Sequence, residues 1–288
     1  FCGQTETKSS KNTEKNVENA NGNKSSFSSS SSNESSRNGL SSIDSSYHEE
    51  ATTTDTKKNG DSVNKTTNID RGFSYSIKDG FNLDTKSQSN SSTQGTITNF
   101  FGDKTKINET THSEAHLNAQ IDGQQFAVGA GVKADSTKTT EKNGNVHQTT
   151  NSIGVDASVK VNRNGVIVGG NVEGGLKTYD KKVNKDGSVD ETTRDINTKI
   201  GGTYNIVTQD FTAEVSGGYR SKDVHTNLDG SQTRDEKKIG GKIGVEGNIA
   251  EAMATGGTKA IKGGSLGFEY EHNSGSTDKY GNKKDNRK

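Results

Sequence analysis

The chain contains no proline and no tryptophan, and only one cysteine and one methionine among its 288 residues. Without proline it cannot be collagen-like or hold Pro-rich linkers, and a long edge strand would lack one usual guard against edge-to-edge pairing. Cys2 alone allows neither an intramolecular disulfide nor a cysteine-based zinc site. No run of 18 apolar residues occurs, so we expect no transmembrane helix. Because the chain begins at Phe1 and not at Met, we expect a fragment or a processed product.

Apolar residues are also scarce. Hydrophobic residues make up 24% of the chain, against the roughly 45–50% apolar content, glycine included, of ordinary globular domains. The 35 glycines and the few valines, isoleucines and alanines allow a thin apolar layer but no thick core. The 37 basic and 37 acidic residues are interspersed, which indicates a solvated surface and gives no support for nucleic acid as a partner.

A regular series of turn dipeptides runs through most of the sequence. Asn-Gly and Asp-Gly are strong hairpin signals because both residues tolerate the positive φ of a type I′ turn. Nine of them occur with a spacing near 21 residues, or twice that where a break such as Phe101-Gly102-Asp103 or Gln209-Asp210 lies in the middle. Their first residues are Asn21, Asn38, Asn59, Asp79, Asp122, Asn143, Asn164, Asp186 and Asp229.

Between these turns, apolar and polar residues alternate with period two, which predicts β-strands. The alternation begins near residue 70 and is clean from residue 111, as in Phe126, Val128, Ala130 and Val132. Successive turns are flanked in alternation by apolar and by polar half-strands, so the repeating unit is a hairpin of about 43 residues with arms of up to roughly 19. We expect ordered pairing mainly over the apolar halves, about ten residues each. The predicted fold is an all-β, up-and-down antiparallel meander of long strands, either an open sheet or a barrel.

The composition divides the chain into four parts. Residues 1–58 are rich in Ser and Asn and are predicted to be disordered, because they cannot bury enough apolar surface to offset the entropy of ordering. Residues 59–110 are predicted to hold weak strands, residues 111–272 the meander of hairpin repeats, and residues 273–288 a polar basic tail. Within the meander, residues 249–262 are predicted to form a short helix or irregular connection, with Asn248 as its N-cap.

Three segments resemble functional motifs but fit them poorly. His112 and His116 lie four apart on a predicted strand, which separates them by about 13 Å and argues against a metal site. Residues 225–236 have the glycine and glutamate of a calcium loop, but His225 stands where an aspartate is needed. The glycines near residues 129 and 256 do not begin a helix after a strand, as a phosphate loop requires. We therefore assign no catalytic, cofactor-binding or metal-binding residues, and no cofactor.

These features favour a secreted, non-enzymatic structural or adhesive protein that assembles through β-sheet pairing, such as a fibre, coat, glue or matrix component. Its expected partners are further copies of itself, and also extracellular matrix or a membrane surface. Two alternatives stay open. One is a membrane-inserting β-barrel or pore, because ten-residue alternating segments match the length needed. The other is a soluble β-rich module that binds a surface or carbohydrate.

Overall fold

A computed structural model describes residues 4–39, 41–77, 80–257 and 259–287. Several residues considered above, namely Cys2, Asp79, Thr258 and Lys288, lie outside these ranges. The described residues form fourteen β-strands and one short helix. In chain order these are β1 (Gln4–Glu18), β2 (Lys24–Asn38), β3 (Ser42–Thr56), β4 (Ser62–Ser76), β5 (Phe81–Thr98), β6 (Lys104–Ile121), β7 (Gln125–Lys142), β8 (Asn145–Asn162), β9 (Gly165–Val183), β10 (Val189–Asn205), β11 (Asp210–Thr226), β12 (Gln232–Asn248), α1 (Ile249–Ala254), β13 (Ile261–Thr277) and β14 (Lys283–Arg287).

All fourteen strands belong to one antiparallel sheet, and their order across the sheet is their order in the sequence. Each strand pairs with the strand before it and the strand after it, which confirms the up-and-down meander. The sheet is open, with β1 and β14 at its two edges, so the open form predicted above is the one adopted. Connections at successive strand ends alternate between the two ends of the sheet, which explains why turns with apolar and with polar flanks alternate in the sequence.

The turns lie where the dipeptides predict them, but most are not type I′. At six connections the first residue of a five-residue loop donates its N–H to the carbonyl of the fifth, as Asn184 does to Ser188 at 2.9 Å. The fourth residue is a glycine with φ between 76° and 87°. This is the three-residue hairpin with a glycine bulge, which demands positive φ at one position only. Among the described residues, only Asn143 (φ 52°) and Gly144 (φ 78°) form a two-residue turn with positive φ at both positions.

The strands are longer than the ten residues expected for ordered pairing. Strands β1 to β4 have 15 residues each, β5 to β8 have 18, and β9 has 19. Pairing therefore continues through the polar halves. It can do so because the ladder hydrogen bonds join backbone groups, and Thr and Ser side chains add bonds between strands, such as Thr137 to Thr150 at 2.9 Å.

The disorder expected for residues 1–58 is not found in the part of that segment that the structure describes. It forms β1, β2 and β3, paired along their whole lengths. The Ser-rich run lies within β2, whose backbone is hydrogen-bonded on both sides. The composition predicted disorder because that argument considers only how much side-chain surface can be buried. It leaves out the backbone hydrogen bonds that two neighbouring strands provide.

The C-terminal segment also differs from the expected tail. β13 continues as far as Thr277, and the last described residues turn back as β14 against Asn273–Thr277. The predicted helix is confirmed as α1, although it has only six residues. Its N-cap is Asn248, as expected, whose side chain accepts a hydrogen bond from the Glu251 N–H at 3.0 Å.

The sheet is a single layer, and no hydrophobic residue among the described ones is buried. Apart from four glycines, the buried residues are polar, and they lie beside turns or between neighbouring strands: Asp61, Ser188, Ser221, Glu236 and Asn248. Domains normally pack at least two layers around a shared core. The chain by itself therefore provides one layer only, and its apolar side chains are in contact with solvent.

Candidate functional site

Strand register places nearly all large apolar side chains on one side of the sheet. Paired residues point to the same side, and successive residues of a strand point to opposite sides. We call the side that carries Phe126 and Val128 the apolar face, and the other side the polar face. The apolar character is concentrated in the half of each strand next to the connections at residues 122–124, 163–164 and 206–209.

A continuous ridge of aliphatic side chains crosses the apolar face. Seven residues from seven consecutive strands, β7 to β13, lie directly opposite one another in register. They are between 45% and 82% exposed. Cross-strand pairs of β-branched residues favour pairing and hold the register. The ridge consists of Val132, Val155, Val172, Ile200, Val215, Ile243 and Leu266.

Grooves of small residues run on both sides of this ridge. The first groove lies two residues from the ridge along each strand. Its residues are paired with one another across the strands and are Ala130, Ala157, Gly170, Gly202, Ala213, Val245 and Gly264. In the other direction along the strands, the second groove includes Gly174, Gly217 and Gly241, although Ile153 and Phe268 interrupt this groove, and beyond it lies a second ridge. This second ridge consists of Leu176, Ile196, Tyr219, Ile239 and Tyr270. The apolar face is therefore corrugated, with ridges about 13 Å apart.

The other half of the apolar face is polar and holds cross-strand acid–base pairs. His225 on β11 lies 2.5 Å from Asp190 on β10, and His147 on β8 lies 2.5 Å from Asp180 on β9. The hydrogen bond with Asp190 raises the pKa of His225 above its ordinary value, and the same bond lowers the pKa of Asp190. These groups are partly exposed and hold neighbouring strands together, so they are typical of a solvated, structural surface.

The polar face has shallow depressions where glycines replace side chains. The one on β6 to β11 has a volume of about 610 Å³, and its rim includes His116, Asn118, Asp156, Asn171, Lys199 and Glu214. Gly131 of β7 lies between two of these residues, and a Cβ there would meet both the His116 and the Asp156 side chains. Because Gly131 has no side chain, His116 Nε2 and Asp156 Oδ1 approach to 3.8 Å across the strand.

The motif-like segments are engaged in sheet contacts. His112 Nδ1 lies 2.5 Å from Asn90 Oδ1, while His116 faces Asp156, so the two histidines interact with different neighbours. In residues 225–236, His225 pairs with Asp190 and Glu236 with Arg220 at 2.7 Å, on either side of an ordinary hairpin loop. Among the described residues, no group of three or more His, Cys, Asp or Glu side chains is placed to hold a metal ion.

Two groups have strongly shifted pKa values, and both act in the sheet itself. Partial burial and a hydrogen bond to Glu191 raise the pKa of Tyr179 to about 12. At the start of β11, hydrogen bonds from Asn248, Thr208 and Lys262 lower the pKa of Asp210 to about 2. Asn248 Nδ2 donates to Asp210 Oδ1 at 2.8 Å while the same side chain caps α1. Asp210 therefore joins the α1 connection to the strand beside it.

The ridges were missed by the reading of single strands, although the sequence contains a signal for them. Residues 43 positions apart are related in adjacent repeats, as in Val172 and Val215, Ile200 and Ile243, or Ile196 and Ile239. Gly174 and Gly217 of a groove show the same relation. After one 43-residue hairpin the chain returns to the same level along the strand direction. Aligning the sequence with itself at an offset of 43 residues would therefore have revealed the corrugated face.

Comparison with protein-family models, with curated proteins and with solved structures gave no match. No helix in the described ranges is long and apolar enough to cross a membrane. Inference about function therefore depends on the geometry of the sheet.

Proposed function

We propose that this chain is a secreted, non-enzymatic structural or adhesive protein whose copies assemble through their sheets, with the apolar faces packed against each other. The observation that carries the proposal is the corrugated apolar face of a sheet that has no second layer among the described residues. Large contiguous apolar patches on a protein surface mark sites of association. A second copy supplies an identical face and thereby the missing layer.

The exposed area supports this proposal. The chain has an accessible surface of 18864 Å², whereas a compact monomer of 30.6 kDa would expose about 11,900 Å². The sheet measures about 62 Å across its strands and about 55 Å along them, so one face covers about 3,400 Å². The apolar half of β7 to β13 makes up about 900 Å² of this face, so packing two copies through it removes about an eighth of the excess of about 7,000 Å² per chain and leaves the polar faces in solvent.

The ridges and grooves fit face-to-face packing. Stacked sheets lie about 10 Å apart, and their side chains interdigitate. A ridge of Val, Ile and Leu side chains on one sheet can enter a groove floored by Gly and Ala on the facing sheet. A Cβ at Gly170 or Gly202 would press against the backbone carbonyl of Asp156 or Thr212, so these glycines are needed within the sheet and also leave the grooves open to a facing surface.

A substitution at the centre of the ridge tests this proposal. Val215→Asp places a carboxylate between Ile200 and Ile243, where face-to-face packing would bury it without a partner. We expect the dissociation constant of the assembly to rise by about 100-fold or more, which corresponds to about 2.8 kcal/mol. Sedimentation velocity across a concentration series measures this change.

The matched control is Ser216→Asp, one residue further along β11 and on the polar face. Its cross-strand neighbours are Lys199 and Lys242, so an added carboxylate is well accommodated there. We expect this variant to assemble as the unmodified protein does. A Val215→Asp variant that assembles as tightly as Ser216→Asp would rule out packing through the apolar face.

A second candidate function is a module that binds a polar surface or carbohydrate through the polar face. The glycine-floored depression favours it, because Asn118, Asp156, Asn171 and Thr203 place amide, carboxylate and hydroxyl groups around one open space. Screening against an array of immobilised glycans tests this function, with Asn171→Ala as the variant expected to lose any binding. A chain that binds no glycan on the array and still assembles supports the structural role alone.

A further inference from the structure

The two edges of the sheet differ in a way that points to a second interface. In the described ranges no strand pairs with the outer side of β1, which has charged residues along its length, including Glu6, Lys8, Lys11, Glu14, Lys15 and Glu18. Charged side chains on an edge strand discourage edge-to-edge pairing. At the other edge, β14 covers only Asn273–Thr277 of β13. Residues 261–272 of β13 have no neighbouring strand on that side in the described part of the chain.

This uncovered part of β13 is the end of the apolar face. Leu266 ends the first ridge and Tyr270 ends the second, with Phe268 between them. Leu266 is 82% exposed and Phe268 77%, compared with 56% for Ile243, the neighbour of Leu266 inside the sheet. β14 thus covers the polar half of β13 and leaves the apolar half open.

The backbone groups that point outward at this edge can be identified from the alternation of hydrogen-bonded and non-hydrogen-bonded pairs along β13. The Asp278 N–H donates to the Asn282 carbonyl at 3.0 Å where β13 turns into β14. Because hydrogen-bonded pairs alternate along an antiparallel ladder, the even-numbered residues of β13 direct their N–H and C=O groups to this side. Those of Gly264, Leu266, Phe268 and Tyr270 therefore point outward at the open edge.

We propose that residues 261–272 form an edge site that pairs antiparallel with the same segment of a second copy. A two-fold axis perpendicular to the sheet through Gly267 keeps the apolar faces of both copies on the same side. It sets Leu266 opposite Phe268 of the second copy and Gly264 opposite Tyr270 of the second copy. Large side chains thus face smaller or complementary ones, and at the junction each ridge of one copy meets a groove row of the other.

The polar face is equally compatible with this pairing. Gly267 lies opposite its own equivalent, Glu269 opposite Ser265, and Glu271 opposite Gly263, so no two like charges are directly opposed. With the axis at Gly267 the paired stretch runs from residue 262 to residue 272, next to Asn273, where the pairing of β14 begins. This inference extends the proposed self-assembly from stacking to lateral growth of the sheet, and its test separates the two interfaces.

Cysteine cross-linking provides the test. Gly267 belongs to the odd-numbered residues, so across the proposed junction it forms a non-hydrogen-bonded pair with its equivalent, with Cα atoms about 4.5 Å apart. That distance permits a disulfide. In the full chain with Cys2→Ser, we expect Gly267→Cys to form a disulfide-linked dimer on mild oxidation. The control Gly240→Cys, one strand inside the sheet on the same face, is expected to stay monomeric on a non-reducing gel.

The same cross-link in the Val215→Asp background distinguishes the two interfaces. Face-to-face packing leaves Gly267 on the outer surface, so stacking alone cannot form this disulfide. We expect the Gly267→Cys dimer to form even when Val215→Asp prevents stacking. If Gly267→Cys cross-links no more than Gly240→Cys, the edge site is wrong, whereas the stacking proposal is judged by Val215→Asp alone.

Two substitutions at Leu266 test whether backbone hydrogen bonds hold the two edges together. Leu266→Pro removes an outward N–H and leaves the β12 ladder intact, while Leu266→Ala removes only the side chain. By negative-stain microscopy, we expect particles about 130 Å wide for the unmodified chain and for Leu266→Ala, and about 65 Å for Leu266→Pro. Equal widths for the two Leu266 variants would contradict pairing through the backbone. Far-UV circular dichroism verifies that each variant retains its strands.

Discussion

Strands β1 to β4 and strands β7 to β13 share one sheet but differ in what they place on its faces. Both regions have continuous antiparallel ladders and the same glycine-containing hairpin loops. On the apolar face, β2 has mainly serine, whereas β8 has Ile153, Val155, Val159 and Val161. The backbone pairing is thus nearly independent of side-chain type. The first region adds scattered apolar side chains to this face, such as Phe27 and Phe73, whereas the continuous ridges are formed by the second region.

This difference separates two roles of the sequence. Turns and strand lengths set the topology in both regions, because hydrogen bonding between strands tolerates almost any side chain except proline. Apolar side chains add association, because burial of their surface stabilises a contact with another layer. We therefore expect the first region to extend the sheet and the second region to hold the assembly together.

Deleting each region in turn gives the largest expected effect. A chain without residues 1–76 retains every residue of both ridges, so we expect it to self-associate as the full chain does. A chain that ends at residue 206 loses β11 to β13, and with them about half of each ridge, and we expect it to be mainly monomeric. Light scattering coupled to size-exclusion chromatography measures both. Loss of association in the first deletion would show that β1 to β4 contribute directly to the interface.

The hairpin loops allow a matched comparison with a smaller effect. Gly60, between β3 and β4, and Gly187, between β9 and β10, both have φ of 85°. Alanine at either position costs about 1 kcal/mol, because a Cβ disfavours the left-handed conformation. At Gly187 the Cβ would also lie 2.8 Å from Leu228 Cδ2, but this exposed side chain can move away.

We expect Gly187→Ala to lower the free energy of unfolding in the main transition by about 1 kcal/mol. Gly60→Ala should instead reduce amide-exchange protection in β3 and β4, because the first region has little apolar surface to couple it to the rest. Chemical denaturation and hydrogen exchange measure the two effects. An equal shift of the main transition by both substitutions would mean that the two regions unfold as one unit.

The smallest expected effect is a pH dependence confined to the second region. Because its hydrogen bond with Asp190 raises the pKa of His225, the pair stabilises the folded chain fully below the unfolded-state pKa of about 6.5. That contribution is lost as the pH rises through the raised pKa of His225. At the acid end it is lost as the pH falls through the lowered pKa of Asp190.

We therefore expect the melting temperature to fall between pH 6 and pH 8 by more in the unmodified chain than in His225→Gln, which keeps a polar side chain without the charge. Thr226→Gln, at the next position of β11, is the control and should keep the full pH dependence. Thermal unfolding followed by circular dichroism provides the measurement. Identical pH profiles for the unmodified chain and His225→Gln would show that this pair contributes nothing to stability.

Much of the fold was predictable because its signals are local. Period-two alternation predicted the strands, the glycine dipeptides predicted most of the turns, and Asn248 predicted the start of α1. The loops at Asn99-Phe100-Phe101-Gly102 and Asp278-Lys279-Tyr280-Gly281 show that the glycine is the common element, since neither has Asn or Asp before it. Only the glycine position needs positive φ, which is why the preceding residue varies.

The ordered pairing of β1, β2 and β3 and the corrugated face could not be obtained from local patterns. β2 pairs because β1 and β3 satisfy its backbone, and this is a property of neighbouring strands rather than of its own composition. Likewise Val172 belongs to a ridge only because register brings Val155 and Ile200 to either side of it. Register depends on the lengths of whole hairpins, which single-strand patterns do not contain.

The sequence by itself determined the strands, the up-and-down order and the division into apolar and polar halves, because turn glycines and side-chain alternation act within a few residues. The tertiary structure decided that the sheet stays open and single-layered. It also decided that residues far apart in the chain, such as Val132 and Leu266, end the same ridge. The physical reason is that ridges, grooves and open edges exist only between strands, where backbone hydrogen bonds fix one register among those that each strand alone would allow.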